Sequence, residues 1–151
     1  MSLPSNKLSN RITNLTNILV GYAKKKHTLT YKEFAEEYNN KGYEKDITMH
    51  ELFYATNSSM DIHGETRLAY LLEMINDRIE NEVNEDILLS SIVINEKDGI
   101  PGTGFDGFIS TRANITKNKL DKLKENKYLW TVIIAGLQKQ VFDFYHQQKM
   151  N

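Results

Sequence analysis

Hydrophobic positions recur with the helical period over most of the chain, and one stretch departs from it. From Ser5 to about Lys25, Leu8, Ile12, Leu15, Ile18, Leu19 and Tyr22 fall at spacings of four and three, which predicts an amphipathic N-terminal helix. Thr30-Tyr31-Lys32-Glu33 has the form of a capping box, so a short helix with Phe34 and Ala35 inside is expected to start there and stop near Asn39 to Gly42. Thr48-Met49-His50-Glu51 is a second box, opening another short helix through about Thr56 that buries Leu52 and Phe53. The pattern breaks between Ser58 and His63, and Gly64-Glu65-Thr66 leads into a third helix whose apolar face is Leu68, Leu71, Leu72, Ile75, Ile79 and Val83. Thr111 to Asn114 reads as a turn, and Tyr128 through Tyr145 as a final helix with Trp130, Ile133, Ile134, Leu137, Val141 and Phe144 inward.

The departure runs from Asp86 to Phe108. A β-branched run, Ile92-Val93-Ile94, is followed at once by turn chemistry at Asn95, Asp98 and Gly99, then by Pro101 among Gly102, Gly104 and Gly107. Residues 88 to 95 are expected to be a strand, and Phe105, Phe108 and Ile109 a return strand, together a β-hairpin or wing. Pro101 fixes its own φ while the glycines permit close backbone approach, so Asn95, Gly99, Pro101, Gly102, Gly104 and Phe105 are expected to form a rigid presentation loop. The fold class that follows is α+β and mostly helical. A winged-helix-like module of three helices plus a β-hairpin (28–110) would be flanked by an N-terminal helix (4–27) and a C-terminal helical segment (115–149), all in a single domain, 1–151.

Composition sharpens this picture by exclusion. With 151 residues, 40% hydrophobic and 26% charged, the chain has the make-up of one ordinary globular domain, and no apolar run reaches the roughly 20 residues of a membrane span. There is no cysteine, which removes disulfides, thiolate metal sites and thiol nucleophiles, and the N-terminus has no secretory apolar segment, so the expected address is the cytoplasm. Lys and Arg number 19 against 20 Asp and Glu, a net charge of -1, so any nucleic-acid contact has to come from a local patch.

Candidate chemistry is sparse. His27, His50, His63 and His146 lie far apart without metal-ligand spacing, no G-x-S-x-G elbow surrounds any serine, and no lysine follows the glycines of the loop as in a phosphate-binding Walker loop. The carboxylates Glu80, Glu82, Glu85 and Asp86 have the spacing of a solvated helix face. No metal and no cofactor is expected, and the chain reads as non-enzymatic. What remains is the element order of a winged helix-turn-helix, in which the third helix enters the major groove and the wing straddles a phosphate backbone. On that reading Arg67 and Tyr70 near the start of the third helix, Lys97 at the wing tip, Tyr31, and Lys24 and Lys25 at the end of the first helix would contact nucleic acid. Lys117, Lys119, Lys122, Lys124 and Lys127 would add non-specific attraction.

Two pieces resemble known families. Thr30 to Ala35, T-Y-K-E-F-A, resembles the T-Y-x-x-[VL]-A helix start in the winged-helix domain of the alkylguanine-DNA alkyltransferases and alkyltransferase-like proteins. The resemblance implies a DNA-phosphate tyrosine at Tyr31, a recognition-helix arginine at Arg67 and the family's strand at Val93-Ile94. Where that family has Pro-Cys-His-Arg this chain has Leu89-Ser90-Ser91-Ile92, so the alkyl-accepting thiolate and its histidine are missing and alkyl transfer is ruled out. The run from Leu88 to Phe105, L-L-S-S-I-V-I-N-E-K-D-G-I-P-G-T-G-F, is similar to a strand and loop in a group of small uncharacterised bacterial and phage proteins that also carry a T-Y-x-x-L-A helix. That likeness implies a shared fold and brings no activity. The connection from Lys41 to Ile62 is longer here than in either pattern.

Two functions are therefore expected. One is binding of duplex DNA or another nucleic acid through the third helix and the wing. The other is a protein-interaction or inhibitor module, with a homodimer as one form of it, docking through Tyr128, Trp130, Phe144 and Tyr145 of the aromatic final helix. A weaker third expectation is a phosphate cradled by the loop amides of residues 99 to 107.

Overall fold

A computed structural model describes residues 5–54, 64–83, 87–102, 105, 106, 109 and 114–150, with the side chains of residues 5, 54, 64–70 and 148–150 outside the description. Among these residues the helices are α1 (Ser5–Lys24), α2 (Tyr31–Asn40), α3 (Met49–Tyr54), α4 (Gly64–Val83), α5 (Lys117–Glu125) and α6 (Lys127–Met150). The local signals act as their chemistry dictates. Thr30 Oγ1 accepts from the Glu33 amide at 3.0 Å while Glu33 Oε1 accepts from the Thr30 amide at 2.9 Å, and Thr48 and Glu51 repeat the exchange at 3.1 Å each way. Thr116 Oγ1 caps α5 through the Lys119 amide, and Asn126 Oδ1 caps α6 through the Leu129 amide.

Helix α1 ends in a Schellman motif. The His27 amide reaches Tyr22 O at 3.0 Å, the Lys26 amide reaches Ala23 O at 3.0 Å, and Lys26 takes the left-handed conformation with φ 58°. The helix is not a flank but the hub of the fold, in contact with α2, α4, α6 and the turn at 89–92. Ile12, Leu15, Ile18, Leu19 and Ala23 are buried there against Leu71, Leu72, Ile75 and Ile79 of α4 and Trp130, Ile134, Val141 and Tyr145 of α6. Each fully buried aliphatic side chain of this set stabilises the fold by about 1.5–3 kcal/mol.

Arg11 lies on the same buried face of α1. Its guanidinium grips Glu44 through two bonds of 2.8 Å, and its Nη1 also reaches Glu51 O and Leu52 O, which are last-turn carbonyls of α3. Tyr38 donates to Glu44 at 2.5 Å, and burial pushes its phenol up to about 12. The Glu44 carboxylate thus joins α1 to α2, and the Arg11 guanidinium joins both to α3.

The expected β-hairpin is not what the described residues form. Leu89–Ile92 is a single 3₁₀ turn, and the strand β2 (Val93–Ile94) pairs in parallel with β1 (Leu29–Thr30), Leu29 opposite Val93 and Thr30 opposite Ile94. Phe105, Asp106 and Ile109 are helical instead of a return strand, and Gly104, Gly107 and Phe108 lie outside the described residues. The cause is burial. Every residue from Ile87 to Val93 is buried, so the segment has no wet face, whereas a two-stranded hairpin leaves one exposed. Among the described residues, no helix is long and apolar enough to cross a membrane.

Candidate functional site

The loop after β2 closes on itself. The Asn95 amide donates to Ile100 O at 2.9 Å, the Gly99 amide donates to Asn95 O at 2.9 Å, and Asp98 Oδ1 accepts from the Ile100 amide at 3.2 Å. Gly99 sits at φ +72°, a conformation that an L side chain rarely adopts, and this is what makes glycine necessary there. The closure leaves Glu96, Lys97, Asp98 and Gly99 exposed at the tip while Pro101 and Phe105 are buried at the base. The base of the predicted presentation loop is therefore part of the core, and only its tip is presented.

Tyr31 and this loop, predicted separately, are brought together. The Gly102 amide donates to the Tyr31 hydroxyl at 3.3 Å, and a Cβ on Gly102 would stand 3.3 Å from that hydroxyl and 3.8 Å from the Asn95 side-chain nitrogen. The Tyr31 ring is half-buried and meets Phe53 edge-on at 6.4 Å between centroids. Its hydroxyl thus braces the loop from the first turn of α2.

On its other side the loop faces the junction of α5 and α6 across a cleft of about 430 Å³. Asn95, Asp98, Ile100 and Pro101 form one wall, Lys124, Lys127, Trp130 and Thr131 the other, and Asp106 also contributes. Lys124 is ion-paired with Asp106 and stands 5.7 Å from the centre of the Trp130 ring, so two charges cancel and the ammonium is held in place. Lys127 is exposed and has no ion pair among the described residues. Among the described residues the cleft therefore carries the Lys127 ammonium, the Asp98 carboxylate, an amide side chain and the edge of a buried indole, which suits it to binding, and no nucleophile with an activating base. No group of three or more metal-ligating side chains is found among the described residues.

The other predicted contacts fall elsewhere. Arg67 and Tyr70 stand in the first two turns of α4, their side chains outside the description. Lys24 is half-buried and its carbonyl meets His146 Nδ1 at 3.3 Å, while Lys25 is exposed in the following turn. Ser90 is buried and bonded to Asn76. Of the aromatic residues expected on a docking face, Trp130 and Tyr145 are core residues and Phe144 is half-buried, whereas Tyr128 is 80% exposed. Asp106 and Thr131 carry no signal in the sequence: Asp106 follows the loop directly, but only tertiary packing pairs it with Lys124 and sets Thr131 against it.

No protein-family model matches this chain, and no curated protein and no solved structure shows significant similarity to it.

Proposed function

We propose that the protein is a non-enzymatic nucleic-acid-binding module. The observation that carries this reading is the meeting, across one cleft, of the lysine-dense junction of α5 and α6 with the closed loop that presents Lys97 between Glu96 and Asp98. The loop with Lys97 at its tip lies opposite the lysine-dense α5 and the start of α6. Lys97, Lys117, Lys119, Lys122 and Lys127 are all exposed and none is in an ion pair among the described residues. Residues 117–127 carry five lysines against Asp121 and Glu125, a local excess of positive charge in a chain of net charge -1, as phosphate recognition requires.

In this reading α2, α3 and α4 are the helical part of a winged-helix-like module. The closed loop from Asn95 to Ile100 stands in for the wing, and Arg67 and Tyr70 belong to the reading helix. Lys26 agrees with it. A left-handed C-terminal position that favours glycine is filled by a third consecutive lysine, where charge is kept at a conformational cost.

The test is fluorescence anisotropy with a labelled DNA duplex and a labelled single-stranded RNA at low salt. Binding is expected, with Lys97→Glu and Lys127→Glu each weakening it and each lowering the salt slope by about 1. Absence of affinity for both probes at about 50 mM salt would dispose of the reading.

A further inference from the structure

Polar groups without a partner converge on the cleft between the closed loop and the junction of α5 and α6. The Asn95 backbone closes the loop through both its amide and its carbonyl, yet its half-buried carboxamide makes no hydrogen bond among the described residues. Asp98 Oδ1 accepts from the Ile100 amide at 3.2 Å, while Oδ2 has no partner among them. The Lys127 ammonium has none either. Thr131 donates its hydroxyl proton to Lys127 O at 2.8 Å and so offers the cleft an acceptor. All four line the same space of about 430 Å³, at the edge of the buried Trp130 indole.

What distinguishes this set is the Asp98 charge. Closing the turn does not need it, since an asparagine oxygen would accept from the Ile100 amide as well. A carboxylate also repels phosphate, so beside Lys127 it opposes binding of a strand unless it meets hydrogen-bond donors. Among the nucleobases only guanine sets two donors, N1–H and N2–H, side by side on one edge, with the O6 acceptor next to them. Adenine and cytosine place an acceptor beside their amino group, and uracil flanks its N–H with two carbonyls.

We propose that the cleft takes one unpaired guanine nucleotide, which rests on the nucleic-acid reading above and names what that site reads. Asp98 accepts from N1–H and N2–H, the Asn95 carboxamide donates to O6, the Trp130 edge packs against the base and Lys127 meets the phosphate. The guanine is unpaired because base pairing covers that same edge. The volume suits a single nucleotide held by a few placed polar groups, and a duplex is too wide to enter it.

Trp130 is the chain's one tryptophan, so its emission reports on the cleft. The full chain is titrated with guanosine, inosine, adenosine, cytidine and uridine monophosphates, each to about 1 mM. Guanosine monophosphate is expected to give a saturable change, the adenosine, cytidine and uridine compounds to bind at least about tenfold more weakly, and inosine monophosphate, which lacks the N2 amine, to fall between. Asp98→Asn keeps the oxygen that the Ile100 amide needs, so its unfolding midpoint should match the parent while the guanine preference is lost. Anisotropy with a labelled oligouridine, with and without one central guanine, separates the two sources of the nucleotide. A guanine-dependent gain of about tenfold assigns the site to a strand. Binding of guanosine monophosphate with no affinity for either strand leaves the site standing with the free nucleotide as its ligand, and removes the nucleic-acid reading. Equal binding of both strands with no response to guanosine monophosphate overturns the guanine site and leaves that reading intact. Equal responses to all the mononucleotides, or a guanine preference that survives in Asp98→Asn, also overturn it, and silence to every probe overturns both.

Discussion

Asn76 and Ser90 hold one another by two hydrogen bonds in the centre of the protein: the Asn76 amide nitrogen donates to Ser90 Oγ at 2.8 Å and the Ser90 amide donates to Asn76 Oδ1 at 3.0 Å. Neither residue is more than 1% exposed, so α4 fixes the 3₁₀ turn that leads into β2 through groups water cannot replace. Asn76→Leu keeps the branched shape and strands the Ser90 amide. It is expected to lower stability by about 1–3 kcal/mol in urea denaturation. Ser90→Ala should cost less, since the backbone bond survives, and in a double-mutant cycle the two should be clearly non-additive.

The Arg11–Glu44 pair sets the acid response. The hydrogen bonds from Arg11 hold the Glu44 carboxyl below the usual carboxylate range, against the opposing effect of burial, and the Tyr38 bond adds to the lowering. A depressed folded value means that the stabilisation is fully present above the unfolded pKa, near 4.5, and is lost as pH falls through the lower folded value. The stability gap between the parent and Glu44→Gln should therefore be constant near neutral pH and close below about pH 4. A gap that widened on acidification would contradict this account.

Arg11→Ala removes both guanidinium bonds to Glu44 and the cap on the last-turn carbonyls of α3. It should destabilise by about 2–4 kcal/mol, and Arg11→Lys should recover only part of that, because an ammonium cannot form the two-pronged contact. Thermal unfolding of the three proteins decides the order.

Lys26→Gly relieves the left-handed strain at the end of α1 and is expected to raise stability by about 0.5–1 kcal/mol while weakening nucleic-acid binding. Gly99→Ala should do the reverse to stability, at a cost of about 1 kcal/mol, through its φ of +72°. Denaturant midpoints measure both.

If the protein binds nucleic acid as proposed, Arg67→Ala is expected to weaken binding, by about 1–3 kcal/mol if the arginine meets a base edge. Equal loss on all sequences would assign it to phosphate contact instead.

The parts of this architecture that the chain displays openly are the ones encoded within a single turn. Thr30 with Glu33 and Thr48 with Glu51 are readable because both partners lie three residues apart, and the apolar faces of α1 and α4 because packing follows the helical period. The pairing of Val93 with Leu29 is not readable, since a run buried on both faces has no alternation to mark its neighbour. Arg11 could have been noticed: it shares the face of Leu15, Ile18 and Tyr22, where a charge calls for a buried partner, but nothing local names Glu44. The cleft was half visible. Asn95 and Pro101 announced a loop and the lysines announced a basic segment, and only tertiary packing sets Lys124 and Lys127 against it.

The two-residue parallel ladder between β1 and β2 also bears on how the chain folds. Its partners lie far apart in sequence, and so few bonds cannot offset the entropy of closing the intervening loop. The ladder is therefore a late seam that zips once the helices have collapsed, and mutations in it should accelerate unfolding while leaving the refolding rate almost untouched.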